Sequence, residues 1–225
     1  IAQHEVLKKF FPEDGDKILW LFADHTFPLF CCMLALPEYS EKILTGLVAS
    51  IGQLTESLTK YSSNSFLDFL NSHPNEATRM CDLTLKIFQD NLLNERITYP
   101  MLNFLDTILS SGTLLTILDD ENSTFADELF RLINLEIKGH KKLYKIASSI
   151  SVLCQLIQVN AFIHLFCIYT LFSLLLQVRR LCPKIFTKMG IFLGLTHVHI
   201  RKTAALKLYE AMLLYGDTTD VSEEN

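Results

Sequence analysis

The sequence has few of the features that enzymes and nucleic-acid-binding proteins use. Its 8 glycines are scattered, and it contains no glycine-rich phosphate loop, HExxH motif or GxSxG motif. Its formal net charge is −5, whereas a nucleic-acid-binding domain needs a basic face. The strict apolar–polar alternation of half-buried strands is also missing. We therefore assign no catalytic residue, no cofactor and no metal site, and we expect no nucleic-acid partner.

The cysteines form no CxxC motif and lie among apolar residues, as buried free thiols do. They are Cys31, Cys32, Cys81, Cys154, Cys167 and Cys182. A disulfide framework is typical of small secreted chains, so this pattern favours reduced thiols in an intracellular protein. The sequence opens IAQHEVLKKFF, without an initiator Met or a basic region before an apolar run. We expect no signal peptide, and we interpret the chain as a piece of a longer protein.

Apolar residues recur every three or four positions almost throughout, which predicts an all-α protein. Ile1–Phe11 resembles the end of a helix, which Pro12–Asp16 breaks. The further predicted helices are Phe27–Leu36, one opened by Pro37, Glu56–Leu70, Glu76–Gln89, Pro100–Ser110, Phe125–Lys138, Lys141–Gln158, Ile185–Leu195 and Ile200–Leu214. Pairing these helices gives a period of roughly 35 to 45 residues, the range of HEAT and armadillo repeats. We therefore predict a HEAT/armadillo-like helical-repeat solenoid in preference to a compact bundle.

One stretch, FQDNLLNERITYPM from Phe88 to Met101, places a polar cluster between two strongly apolar helices. Thr98 suits the cap of the second helix, and Pro100 suits its first turn, where a missing N–H is not needed. The pattern predicts a tight corner between helices. Its polar residues have two interpretations, corner hydrogen bonds and contact with a partner, and Arg96 is the candidate for contact.

Two small clusters are weak candidates for metal binding. His197 and His199 are two residues apart, which places them on different faces of a helix, and solvated histidines are the better interpretation. Asp119, Asp120 and Glu121 are sequence neighbours only, so a solvated acidic loop is more plausible than a divalent-ion site.

The nearest approach to a basic patch is formed by Arg201, Lys202 and Lys207. It has two interpretations, a solvated helix face and a contact with an acidic protein partner.

Three blocks of the sequence resemble the C-terminal region of tubulin-folding cofactor D. They are YSEKILTGLVASIGQLTESLTKYSSNSFLDF from Tyr39 to Phe69, IFQDNLLNERITYPMLNFLDTIL from Ile87 to Leu109, and IRKTAALKLY from Ile200 to Tyr209. The middle block is the strongest match. Gln53 departs from the pattern, because the family usually has glycine there. The resemblance runs in order along nearly the full length.

This resemblance implies a large non-catalytic HEAT-repeat chaperone of the cytoplasm and the microtubule cytoskeleton. Such a protein holds β-tubulin. With cofactors E and C and a small Arf-like GTPase, it assembles and takes apart the α/β-tubulin heterodimer, and it promotes GTP hydrolysis by tubulin. Because the surface of tubulin is acidic, Arg201 and Lys202 join Arg96 as candidate partner-binding residues. The alternative function is a different HEAT-repeat scaffold, of the transport-receptor or phosphatase-subunit type.

The segment Val159–Gln177, VNAFIHLFCIYTLFSLLLQ, is strongly apolar and interrupts the resemblance. Its apolar stretch of 16 residues is shorter than the roughly 20 that cross a bilayer. A buried central helix, a natural insertion, a membrane anchor and a retained intron translated in frame are the possible interpretations. Val-Asn can be encoded by GTAAAT, a plausible splice donor, and Gln by CAG, a plausible acceptor. We predict a retained intron or insertion within a repeat region at 1–216, followed by an acidic flexible tail at 217–225, and we expect no membrane insertion.

Overall fold

The computed structural model describes residues 15–53, 56–120, 123–139, 142–167 and 175–220. Within these ranges every regular element is an α-helix, which confirms the predicted all-α helical-repeat fold. The ten helices of the described residues are α1 Gly15–Met33, α2 Pro37–Gly52, α3 Glu56–Ser72, α4 Pro74–Asp90, α5 Glu95–Ser110, α6 Leu115–Asp119, α7 Phe125–Ile137, α8 Leu143–Cys167, α9 Leu175–Leu193 and α10 Val198–Asp220. The predicted helix Ile1–Phe11 lies outside the described residues.

The helices stack in two rows, as in a solenoid. Helix α4 packs on α7, and α7 contacts α9, while α5 packs on α8 and α8 packs on α10. Helix α2 packs on α5 and on α3, and α1 packs on α3. Neighbouring repeats contact each other at regular sequence separations: Asn103 bonds to Ser148, 45 residues later, and Tyr99 contacts Tyr144 at the same separation. This spacing lies within the predicted repeat period.

Helix α2 shows how the sequence produces one of these elements. Pro37 stands in its first turn, where a proline removes no intrahelical hydrogen bond. Its sequence predicts an apolar stripe of Ile43, Leu44, Leu47, Val48, Ile51 and Leu54. Of these, Leu44, Leu47, Val48 and Ile51 are buried, Ile43 is partly buried, and Leu54 lies outside the described residues. Spacings of three and four residues place these side chains on one face of the helix, so they enter the core together.

A close approach between backbones fixes how α2 meets α5. A Cβ atom added to Gly52 would lie 1.9 Å from the carbonyl oxygen of Pro100, so no larger residue fits there without movement of the backbone. The side chain of Asn103 donates to the Gly52 carbonyl at 2.9 Å. The end of α2 therefore lies directly against the first half of α5.

Several predicted boundaries were wrong. The prediction Phe27–Leu36 becomes the longer α1, which continues through Pro28. Helix α5 begins at Glu95 and contains Pro100 in its interior, so Thr98 is not its cap; Asn94 takes the N-cap position. Tertiary contacts around Pro100 outweigh its local preference for a first turn.

The C-terminal helices are also longer than predicted. Helix α8 continues to Cys167 and α9 begins at Leu175, so both extend into the segment Val159–Gln177, whose residues 168–174 lie outside the described part. Helix α10 runs to Asp220, into the predicted acidic tail, whose remaining residues 221–225 are not described. Among the described helices, none combines the length and the apolar character needed to cross a bilayer.

Candidate partner-binding surfaces

The corner between α4 and α5 is built from local backbone geometry and side-chain hydrogen bonds. Leu93 adopts a φ of 68°, the left-handed region that non-glycine residues rarely occupy. Just before it, the side chain of Asn91 donates to the carbonyl of Ile87 at 2.8 Å, one of the carbonyls left open at the end of α4. The backbone N–H of Leu93 points into the protein and donates to Oε2 of Glu136 at 2.7 Å. The strained residue thus binds the corner to α7.

Glu136 is the centre of a buried polar cluster beneath this corner. Its other oxygen, Oε1, accepts a hydrogen bond from the hydroxyl of Thr98 at 2.7 Å and pairs with the ammonium group of Lys145. The Glu136 and Lys145 side chains are 0% and 1% exposed. One carboxylate therefore joins α5, α7, α8 and the corner loop.

The pKa of Glu136 reflects two opposing effects. Burial disfavours the charged carboxylate and would raise the pKa. The hydrogen bonds from Lys145, the Leu93 N–H and Thr98 together outweigh burial, so the pKa lies below its ordinary value. Glu136 is a structural anion, satisfied on both oxygens.

The outer edge of the corner contains the exposed candidates for contact. Glu95, at the start of α5, forms an ion pair with Lys142 ahead of α8. One turn further, the rings of Tyr99 and Tyr144 meet edge to face with centroids 5.0 Å apart. Arg96 is exposed beside this edge. Arg96 therefore lies where two repeats are linked twice. The buried Glu136 cluster links them beneath the corner, and the ion pair and the ring contact link them at the surface.

A second polar junction connects the row of α5, α8 and α10. Asn103 accepts a hydrogen bond from the hydroxyl of Ser148 at 3.0 Å. Burial raises the pKa of Asp106, against a hydrogen bond from Gln155 and the charge of Lys207, which lower it. These groups hold the helices of the row in register.

The structure does not form one patch from the predicted basic cluster at α10. Arg201 donates to the carbonyls of Leu195 and Thr196 at 2.8 and 3.0 Å, which closes the α9–α10 connection. Lys207 pairs with Glu210 at 2.9 Å, and this hydrogen bond raises the pKa of Lys207. Lys202 is exposed. Arg96 lies on α5, and α8 stands between α5 and α10 in their row, so the three candidate residues are not brought together.

Of the two weak candidates for metal binding, the acidic cluster Asp119, Asp120 and Glu121 lies partly outside the described residues, because Glu121 is not described. His197 and His199 are both exposed. Within the described ranges no group of three His, Cys, Asp or Glu residues is placed to hold a metal ion.

Sequence reasoning missed the pair of Glu136 and Lys145. A signal was nevertheless present, since Glu136 occupies a position in the apolar stripe of α7, three and four residues after Ile133 and Leu132, which are buried. A charged residue at such a position requires a buried partner.

A family model described as the C terminal of tubulin folding cofactor D matches residues 1–145. The chain belongs to the tubulin folding cofactor D family. The match covers the described helices up to α7 and the start of α8. It therefore includes Glu136 and Lys145 as well as the corner itself. It ends 14 residues before Val159, and the third resembling block, Ile200–Tyr209, lies outside it. No solved structure matches the chain.

Membership of the cofactor D family gives the chain a chaperone role in tubulin folding, with tubulin-related partners. The two-row helical architecture suits this role, because stacked repeats present extended surfaces to a large protein. The corner sequence FQDNLLNERITYPM lies within the matched residues, and the Glu136 cluster links it to α7 and α8.

Proposed function

We propose that the chain forms part of a scaffold that binds β-tubulin. With cofactors E and C and a small Arf-like GTPase, this scaffold assembles and takes apart the α/β-tubulin heterodimer. It acts in the cytoplasm at the microtubule cytoskeleton, and it promotes GTP hydrolysis by tubulin as part of the complex without catalytic residues of its own. The family match over residues 1–145 is the observation on which this proposal depends.

Arg96 and Lys202 are the residues that we propose for direct contact with the client. Both are exposed cations, and complementary charge raises the rate and selectivity of association with an acidic partner. Arg201 has an indirect role beside Lys202: it holds the α9–α10 connection, because one of its terminal nitrogens already donates to two carbonyls.

The test is capture of purified tubulin by the full-length protein. We expect Arg96→Ala to weaken capture while leaving the melting temperature unchanged, because the side chain is exposed. Arg131→Ala is a matched control, since Arg131 forms an exposed ion pair with Glu128 on α7. No capture of tubulin by the unmodified protein would refute the proposed function, and a large fall in melting temperature for Arg96→Ala would assign that residue to the joint instead.

We also propose that Val159–Gln177 is encoded by a retained intron that is translated in frame. Without this segment, the repeat that contains it would have an ordinary length. The ion pair of Lys184 with Asp127 joins neighbouring repeats across this segment at a separation of 57 residues, against 45 for Asn103 and Ser148. Subtracting the 19 residues of the segment leaves 38, within the predicted repeat period of roughly 35 to 45 residues. Sequencing of the mature transcript decides the question, because a spliced message that keeps these codons removes the proposal.

A further inference from the structure

The carboxyl group of Asp106 lies in the junction of α5, α8 and α10 with one of its oxygens unpaired. Its Oδ1 atom is enclosed by protein, and within the described residues no group donates a hydrogen bond to it. In the described part of the chain it is the one buried side-chain oxygen or nitrogen without a partner. Buried polar groups are nearly always hydrogen-bonded, and a charged carboxylate is especially costly to enclose without a full set of donors.

The neighbours of Asp106 come from α8 and α10. Gln155 donates a hydrogen bond to the carboxyl group, whereas Lys207 acts on it by charge alone. The ammonium group of Lys207 is already paired with Glu210 at 2.9 Å. Cys154 is 1% exposed beside these groups, and burial raises the pKa of its thiol to about 12, so it is uncharged. Helices α2, α3 and α4 also pack on α5, but none of their described ionisable groups acts on this carboxyl.

The neutral form of the carboxyl group fits this environment better than the charged form. Burial disfavours the carboxylate, and the hydrogen bond from Gln155 and the charge of Lys207 do not offset it, so the pKa of Asp106 lies above its ordinary value. Glu136 is the opposite case, because both of its oxygens accept hydrogen bonds and its pKa is lowered. The two buried carboxyl groups therefore differ in how completely their oxygens are satisfied.

We propose that Asp106 takes up a proton from solvent when α5, α8 and α10 pack together, which makes their junction a pH-sensitive joint. The proton converts the carboxylate to the neutral acid, and no other bond changes. With the proton bound, Lys207 is left to its pair with Glu210. When the proton leaves, the enclosed carboxylate competes with Glu210 for that lysine. This inference goes beyond the proposed function and does not depend on tubulin.

The effect of this proton on stability has a definite sign. Because the folded pKa of Asp106 lies above its ordinary value, the folded chain binds more protons here than the unfolded chain between the two pKa values. The stabilising contribution is complete below the unfolded pKa and is lost as the pH rises through the folded pKa. Asp106 and Glu136 therefore respond to acid in opposite directions.

Replacing Asp106 with asparagine tests the joint, because asparagine has nearly the same shape and cannot ionise. Asp106→Asn should raise the melting temperature of the purified chain at neutral pH by about 2–4 °C, since it removes an enclosed charge. This gain should shrink as the pH falls through the folded pKa of Asp106, where the unmodified chain is itself neutral at this position. Glu136 is present in both chains, so its own pH dependence cancels in the comparison. Asp82→Asn on α4 is the matched control, because Asp82 is exposed and its replacement should give no such gain.

Titration of the carboxyl groups by NMR, with ¹³C-labelled aspartate in the unmodified chain, measures the same proton directly. One aspartate resonance should titrate above the ordinary range, and Lys207→Met should move it to still higher pH because it removes the charge that lowers this pKa. This measurement does not require Asp106→Asn to fold. A lower melting temperature for Asp106→Asn at neutral pH, a gain that does not change with pH, or no aspartate titrating above the ordinary range would each overturn the inference.

Discussion

Replacing Lys145 with methionine should be among the most destabilising single changes in the described part of the chain. Methionine has a similar length but no charge, so Glu136 would remain buried beside only the Leu93 N–H and the Thr98 hydroxyl. Removing one partner of a buried ion pair costs about 3–5 kcal/mol, because the remaining charge is uncompensated. At this chain length, 1 kcal/mol lowers the melting temperature by about 2–4 °C, so the expected fall is roughly 6–20 °C.

Thermal melting of the purified chain, followed by circular dichroism at neutral pH, measures this effect. Lys184→Met is the control, because Lys184 forms a similar ion pair with Asp127 in which both side chains are more than half exposed. Such pairs contribute only about 0–1 kcal/mol. If Lys145→Met shifts the melting temperature no more than Lys184→Met does, the buried pair is not the support that its geometry indicates.

The same experiment gives a pH dependence with a definite sign. The pKa of Glu136 in the folded chain lies below its ordinary value of 4.5. Its stabilising contribution is therefore complete above the unfolded pKa and is lost as the pH falls through the folded pKa. Lys145→Met removes this contribution at every pH. The variant should therefore lose less stability than the unmodified chain as the pH falls through the folded pKa of Glu136.

Two further predictions concern packing and reactivity. Gly52→Ala should destabilise the chain by a few kcal/mol in chemical denaturation, because its Cβ would overlap Pro100. Gly46→Ala is the control, since its Cβ would have open space and should stabilise the chain by about 0.5–1 kcal/mol. Equal effects of the two substitutions would contradict the close approach at Gly52. Burial raises the pKa of the Cys31 thiol to about 12, whereas Cys32 is exposed. Iodoacetamide at pH 8 should therefore modify Cys32 before Cys31, as measured by peptide mass spectrometry. Modification of Cys31 first would contradict its burial.

The parts of the fold that sequence predicted are those in which local signals and tertiary packing agree. Helix α2 has its proline, its stripe and its buried face in the expected places. The end of α7 also agrees with the sequence, since the helix ends at Ile137, one residue before the predicted Lys138, and Gly139 adopts a φ of 76° two residues later. Periodicity along these segments was sufficient because each buries a single face.

Prediction failed where a distant residue decides a local structure. Thr98 resembles a helix cap, yet its hydroxyl donates to Glu136, 38 residues later. Helix α5 consequently begins before the proline that was expected to open it. At α10 the sequence predicts one apolar face of Ile200, Ala204, Leu208, Met212 and Tyr215, and this was wrong at its C-terminal part, because Ala211 is buried and Met212 is 54% exposed. The pairing of Glu136 with Lys145 likewise depends on which helices become neighbours.

The left-handed turn at Leu93 has a mechanical consequence. Its N–H, the Thr98 hydroxyl and the Lys145 ammonium group all meet the Glu136 carboxylate from different structural units. Sliding the α4–α5 hairpin over the α7–α8 hairpin would pull donors away from a charge that has no access to water. These two hairpins should therefore move together as one rigid unit, with little bending at the joint between them.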